Sequence, residues 1–129
     1  MAVQGANKIV VGVHDQERAR KFWTDLVGFT VTTDAPYGED GRWVEVTSAD
    51  GNIVLILSVD PDDTYRFATR DEVPNANPFF YSDDIEKTHE ELAAKGVEFV
   101  EKPTRQPWGW WSMFVDSEGN RFVLQQVET

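Results

Sequence analysis

The most informative absences in this sequence of 129 residues are those of cysteine, histidine and long apolar runs. Without cysteine, the chain has no disulfide, no thiolate metal site and no cysteine nucleophile. The only histidines, His14 and His89, give poor support for a metal site. The longest apolar run, Ile53–Leu57, is far too short to cross a bilayer, and the first residues lack the basic start and apolar block of a secretory signal. We therefore expect a cytoplasmic protein without membrane association.

Positive charge is also scarce. Lysine and arginine number 12 against 23 aspartates and glutamates, which gives a formal net charge of −11. A chain this acidic repels phosphate backbones and anionic membrane surfaces, so we expect no nucleic acid among its partners. Cationic small molecules would be attracted, although an acidic surface also simply aids solubility. A hydrophobic fraction of 40% is typical of a folded globular domain.

The second half of the chain repeats landmarks of the first half at a constant separation of 68 residues. Such self-similarity indicates a duplicated structural unit. We predict that residues 1–129 form a single domain with a first module over 8–59, a linker over 60–76 and a second module over 77–127. The landmarks are four pairs: Asp15 and Asp83, Gly28 and Gly96, Trp43 and Trp111, Gly51 and Gly119.

Each module has the pattern β-α-β-β-β. Asp15 and Asp83 are candidate N-caps of the two helices, and Gly28 and Gly96 suit the left-handed position that ends a helix. One helix covers one face of a four-stranded sheet, so the other face must meet a partner or a ligand. The predicted fold class is therefore α+β, with two βαβββ modules in tandem forming a curved, cleft-enclosing sheet. The predicted strands are 9–13, 29–33, 42–47 and 52–59, then 79–81, 97–101, 110–115 and 120–127.

Two segments are specific enough to suggest a family. They are Lys-Phe-Trp-Thr-Asp-Leu-Val-Gly-Phe at 21–29 and Phe-Val-Asp-Ser-Glu-Gly-Asn-Arg at 114–121. On these segments the whole chain resembles the vicinal-oxygen-chelate superfamily, which includes glyoxalase I, ring-cleaving dioxygenases, and fosfomycin- and bleomycin-resistance proteins. The segment Gln106–Gly109 looks most like the bleomycin-resistance branch. The resemblance implies the tandem βαβββ fold, whereas activity depends on the site.

In metal-dependent members of that superfamily, the first and last strands of each module supply ligands to one divalent metal. The resemblance places those ligands at Lys8, at Ala76 or Asn77, at Leu55 and at Val123. Lys8 is a cation, and the side chains of Leu55 and Val123 have no donor atom, so this set is unsuited to a metal. We therefore expect neither metal nor cofactor.

Strand alternation predicts which side chains line the cleft. In the first module we expect Lys8, Leu55 and Leu57 to point inward. Trp108 is the favoured stacking residue because it matches the tryptophan of the bleomycin-resistance pattern; core or dimer packing is the alternative role of the tryptophans. The candidate ligand-binding residues are Tyr37, Trp43, Glu45, Phe79, Trp108, Trp111, Met113 and Gln125.

The leading hypothesis is a metal-independent homodimer that binds a small aromatic or cationic molecule, which the resemblance extends to antibiotic sequestration of the bleomycin type. A homodimer is expected because family members commonly extend their clefts across subunits and because strand edges need cover. The alternative is a glyoxalase-like lyase or isomerase, or a dioxygenase-related enzyme, in which Glu45 has a raised pKa and acts as a general base. A structural or regulatory dimer without a small ligand is the third hypothesis.

Overall fold

Each half of the chain folds as one helical segment packed against one four-stranded sheet. The computed structural model describes residues 2–67 and 78–127, and the chain divides into Met1–Tyr65, here unit 1, and Arg66–Thr129, here unit 2. The elements of unit 1 are β1 (Lys8–Val13), α1 (Gln16–Lys21) continued by a π-helical turn (Phe22–Leu26), β2 (Thr30–Tyr37), β3 (Gly41–Thr47) and β4 (Val54–Val59). Those of unit 2 are β5 (Phe79–Ser82), α2 (Ile85–Ala94), β6 (Glu98–Gln106), β7 (Gly109–Val115) and β8 (Arg121–Gln126). The predicted α+β fold of two tandem βαβββ modules is confirmed.

The two sheets share one topology, with strand orders β1-β4-β3-β2 and β5-β8-β7-β6. The first pair in each order is parallel, and the other pairs are antiparallel. The edge strands β2 and β6 extend beyond their predicted ends, to Tyr37 and Gln106, and run through Pro36 and Pro103. Proline is tolerated there because an edge strand has a free side that needs no ladder hydrogen bond.

The core of unit 1 lies between its helix and the inner face of its sheet. The Gln16 amide donates to the carbonyls of Arg42 and Leu57, both at 2.8 Å, and so attaches the helix to β3 and β4. Burial of these apolar side chains is the main stabilising term for such a layer. The buried residues are Val11, Val13, Ala19, Phe22, Trp23, Val44, Val46, Leu55 and Leu57.

The helix of unit 2 begins one residue later than the repeat predicts. The N-cap is Asp84, whose carboxylate accepts a hydrogen bond from the backbone N–H of Lys87 at 3.1 Å, so the prediction of Asp83 was wrong. The Asp83 carbonyl instead accepts from the side chain of Gln126. In unit 1 the prediction of Asp15 as N-cap is confirmed, because its carboxylate accepts from the Arg18 N–H at 2.9 Å.

A length difference between two turns changes the register of β4. In unit 1 the β3–β4 turn is closed by the Ser48 N–H donating to the Ile53 carbonyl, whereas in unit 2 Asp116 donates to Asn120. The first turn therefore holds one residue more than the second. Because side chains alternate along a strand, one extra residue moves every following side chain to the opposite face of the sheet.

The prediction that Leu55 and Leu57 point into the cleft was therefore wrong. Both pair with buried valines of β3 and lie with them against the helix. The residue of β4 that shares the open face with Glu45 is Ile56, its register partner. In unit 2 the same register position on β8 is occupied by Val123, opposite Met113.

Candidate functional site

The open face of the sheet in unit 2 carries most of the predicted ligand-binding side chains. Phe79 of β5 is opposite Val123 of β8, and Trp111 of β7 is opposite Gln125 of the same strand. The intervening residues of β7 and β8, Ser112 and Leu124 among them, point to the helix side. Strand pairing thus brings together on one surface four aromatic, apolar or amide side chains that are far apart in sequence.

Five residues of this face line a pocket of about 430 Å³: Phe79, Trp108, Trp111, Val123 and Gln125. Val123 is buried and forms the floor, while the rings of Phe79 and Trp108 are more than half exposed. The wall is almost entirely apolar. A concave, mostly apolar surface of this size is typical of small-molecule sites.

Trp108 reaches the pocket because of the hairpin that joins β6 and β7. Gln106 pairs with Gly109, so Trp108 is one of only two residues in the turn and its indole is not part of the sheet. Its ring lies 6.1 Å from that of Trp111, at an interplanar angle of 43°. Tilted ring pairs at this separation are attractive and keep both faces available for stacking.

The indole N–H of Trp111 is the one polar group of this pocket that lacks a partner. The nitrogen is buried, and no atom in residues 2–67 or 78–127 accepts its hydrogen bond. A buried donor without an acceptor costs free energy, which makes it unusual in a folded protein.

A second cluster of predicted residues lies on the open face of unit 1. Glu45, only 7% exposed, accepts a hydrogen bond from the Trp43 indole N–H at 2.7 Å. The Lys8 ammonium donates to its two carboxylate oxygens at 3.2 and 3.3 Å. The exposed ring of Tyr37 packs on Trp43 with 5.1 Å between ring centroids. We call Lys8, Tyr37, Trp43 and Glu45 the unit 1 cluster.

The charge state of Glu45 is opposite to the one that the enzyme hypothesis needs. The hydrogen bond from Trp43 lowers the pKa of Glu45, the hydrogen bond and charge of Lys8 lower it further, and burial only partly opposes them. The expectation of a raised pKa was therefore wrong in direction. A carboxylate stabilised in its anionic form is a weak proton acceptor, so the geometry does not support Glu45 as a general base.

The metal-ligand positions implied by the resemblance do not fit a divalent ion. Lys8 is a cation already paired with Glu45, and Val123 is a buried hydrocarbon side chain. The position that matches Val123 in unit 1 is Ile56 rather than Leu55, and neither has a donor atom. The remaining candidates, Ala76 and Asn77, lie outside the described residues.

The two histidines lie apart from these surfaces. His14 bonds to Asp63 at 2.8 Å on an exposed surface, and His89 packs edge-on against Phe99. Within 2–67 and 78–127, no group of three or more histidine, aspartate or glutamate side chains is placed to hold a metal. Across the same residues, no helix is long and apolar enough to span a membrane.

Sequence reasoning missed one buried polar cluster, in the β7–β8 turn. Asp116 accepts hydrogen bonds from the backbone N–H groups of Glu118 and Asn120 at 2.9 and 2.8 Å, and from the Asn120 side chain at 3.0 Å. All three residues are buried, and Arg66 donates to the Glu118 carbonyl. The motif looked like an ordinary tight turn, since nothing in its residue types indicates burial.

Comparison with known proteins gives consistent matches over the full length. The family model described as Glyoxalase/Bleomycin resistance protein/Dioxygenase superfamily matches residues 5–124. YetH of Bacillus subtilis (strain 168) is 32% identical over 118 residues, which cover 92% of this chain and 94% of YetH.

Two solved structures from Streptomyces sp. CB03234 are also similar. TnmS3, described as an antibiotic binding protein, is 30% identical, covers 99% of each chain and has a TM-score of 0.79. A glyoxalase/bleomycin resistance protein is 30% identical, covers 94% of this chain and 100% of its own, and has a TM-score of 0.70.

Proposed function

Since the chain belongs to the Glyoxalase/Bleomycin resistance protein/Dioxygenase superfamily, we propose that it binds a small, flat aromatic molecule in the pocket of unit 2, without a metal. The observation that carries this proposal is the pocket itself, whose floor is Val123 and whose walls include Phe79, Trp108 and Trp111. Such a surface offers ring faces and little hydrogen bonding. The molecule it suits best is planar and largely apolar.

The exposure of Trp108 supports a binding role over a packing role. A ring that is 58% exposed in the folded chain stabilises the core little, but it gains contact area when a ligand covers it. Stacking and cation–π contacts with an indole contribute about 0.5–2 kcal/mol each. The net charge of −11 would further favour a ligand that carries a positive group.

Antibiotic sequestration is the biological role that we propose for this binding. It is supported by the similarity to TnmS3, an antibiotic binding protein, which extends over 99% of both chains. Metal independence is supported by the chemistry of Lys8 and Val123, which are unsuited to coordination. The homodimer and the cytoplasmic location stay predictions from the sequence.

The experiment is calorimetric titration with proflavine, a planar aromatic cation, with and without a metal chelator. We expect binding that the chelator does not change and that Trp108→Ala weakens by about tenfold, because one stacking face is lost. Trp110→Phe is the matched control, since Trp110 neighbours Trp111 but lies on the opposite face of β7.

Each part of the proposal can fail separately. Equal affinity of wild type and Trp108→Ala would refute the stacking site. Loss of binding in the chelator would refute metal independence. A loss in Trp110→Phe as large as that in Trp108→Ala would show that the indoles act through the fold rather than through the pocket.

A further inference from the structure

The open face of unit 1 carries an aromatic pair that corresponds to the pair in unit 2. Trp43 and Trp111 occupy the same position in the repeat, on the third strand of each unit. Each is joined by a ring from the hairpin before it: Tyr37 near the end of β2, and Trp108 in the β6–β7 turn. The ring pairs are also alike in geometry, with centroids 5.1 and 6.1 Å apart and tilts of 53° and 43°.

The residues beside the two pairs differ in polarity. In unit 2, Met113 follows Trp111 on the same face, and both Met113 and its partner Val123 are buried and apolar. In unit 1 the position of Met113 is taken by Glu45, which is buried although it is charged. Burying a carboxylate is costly unless it is paired, and removing it from a sheet face needs only one substitution. Its presence beside an aromatic pair therefore points to a function for its partners.

The unit 1 cluster holds two donors in a defined arrangement. The Glu45 carboxylate binds the indole N–H of Trp43, which restricts the rotation of that ring. It also binds Lys8, whose side chain is 48% exposed. Because an ammonium has three N–H donors, Lys8 can keep Glu45 and still donate to an oxygen atom of a bound molecule.

We propose that the unit 1 cluster is a second binding site, in which Tyr37 and Trp43 contact an aromatic ring and Lys8 donates a hydrogen bond to a neutral oxygen on that ring. Phenols and aryl ketones are the chemical class that fits. Aromatic carboxylates fit less well, because Glu45 and the net charge of −11 repel an anion. Glu45 is a positioning residue that orients Trp43 and Lys8. This site does not depend on the pocket of unit 2.

The test is titration of Trp108→Ala protein, in which the unit 2 pocket is impaired, with 2-naphthol and with naphthalene. The chain has five tryptophans, so its indole N–H groups give a small set of NMR signals, and Trp43→Phe assigns the signal of Trp43. We expect 2-naphthol to shift the Trp43 signal and to bind about tenfold more tightly than naphthalene, because only 2-naphthol accepts the hydrogen bond of Lys8.

Substitution of Lys8 separates this site from simple apolar contact. Lys8→Met should weaken 2-naphthol binding by about tenfold and change naphthalene binding by less than about twofold, while Lys8→Arg should restore it. Since Lys8→Met leaves the Glu45 carboxylate unpaired, Lys8→Met/Glu45→Gln is included as a variant without the buried charge. The signal of Trp23, a fully buried core residue of unit 1, reports whether each variant is folded.

Two results would overturn the inference. One is a Trp43 signal that does not move in saturating 2-naphthol. The other is equal 2-naphthol affinity in the parent and in both Lys8→Met variants with the Trp23 signal intact. Neither result bears on proflavine binding at Trp108, so the failure of one site is distinguishable from the failure of the other.

Discussion

Replacing Asp116 with asparagine tests the electrostatics of the buried β7–β8 turn. Burial raises the pKa of Asp116 from 3.8 to about 6, and the nearby charge of Glu118 adds to the rise, although hydrogen bonds from Asn120 and Glu118 oppose it. An asparagine side chain does not titrate. The difference in stability between wild type and Asp116→Asn therefore isolates the contribution of this one proton.

The sign of the effect follows from proton binding in the two states. Between the unfolded pKa of 3.8 and the folded pKa of about 6, the folded protein holds the Asp116 proton more tightly than the unfolded chain does. The stability contributed by this group is thus complete below the unfolded pKa and is lost as the pH rises through the folded pKa. A shift of this size corresponds to about 3 kcal/mol over the whole window.

The assay is urea unfolding of both proteins from about pH 4 to about pH 8. We expect the free energy of unfolding of wild type, relative to Asp116→Asn, to fall by up to about 3 kcal/mol up to pH 6–7 and then to stay level. Glu45, with its lowered pKa, is present in both proteins, so its titration cancels in the difference. Asp50→Asn, in the exposed β3–β4 turn, is the control for removal of a charge. A difference that is constant across the whole pH range would refute the reasoning.

Two further substitutions test local features of the fold. Asp84→Ala should lower the free energy of unfolding by about 1 kcal/mol because it removes the helix cap on Lys87, whereas Asp83→Ala should cost much less; equal costs in urea unfolding would contradict the assignment of the cap. Gly12→Ala should cost about 1–3 kcal/mol, because a Cβ atom at this position would overlap the Asp60 carboxylate; an unchanged unfolding midpoint would show that Asp60 moves aside freely.

Much of the fold was predictable because the duplicated sequence marks the same boundaries twice. Gly28 and Gly96 have φ angles of +93° and +96°, which glycine adopts readily and other residues rarely do, so both helices end where the repeat predicts. The third strands also keep the offset of 68 residues, and the buried Val44 and Val46 confirm which face of β3 meets the helix. Such signals are local, and a single sequence displays them directly.

The face of β4 was not predictable in the same way. Every residue of Ile53–Leu57 is apolar, so alternation gives no sign of which side chains meet the helix. The repeat offset misled the assignment because both turns contain glycine followed by asparagine, while only the hydrogen bonds of Ser48 and Asp116 reveal the extra residue in the first turn. Register is a property of two paired strands, and one strand alone does not encode it.

The candidate sites divide along the same line. Residue types alone exclude thiolate chemistry, make Lys8 and Val123 unsuited to a metal and supply an excess of tryptophan, because these are properties of single side chains. The ion pair of Lys8 with Glu45, which spans 37 positions of the chain, arises only when β4 is inserted between β1 and β3. The lowered pKa of Glu45 and the raised pKa of Asp116 arise in the same way, since burial and hydrogen-bond partners exist only after distant segments have packed together.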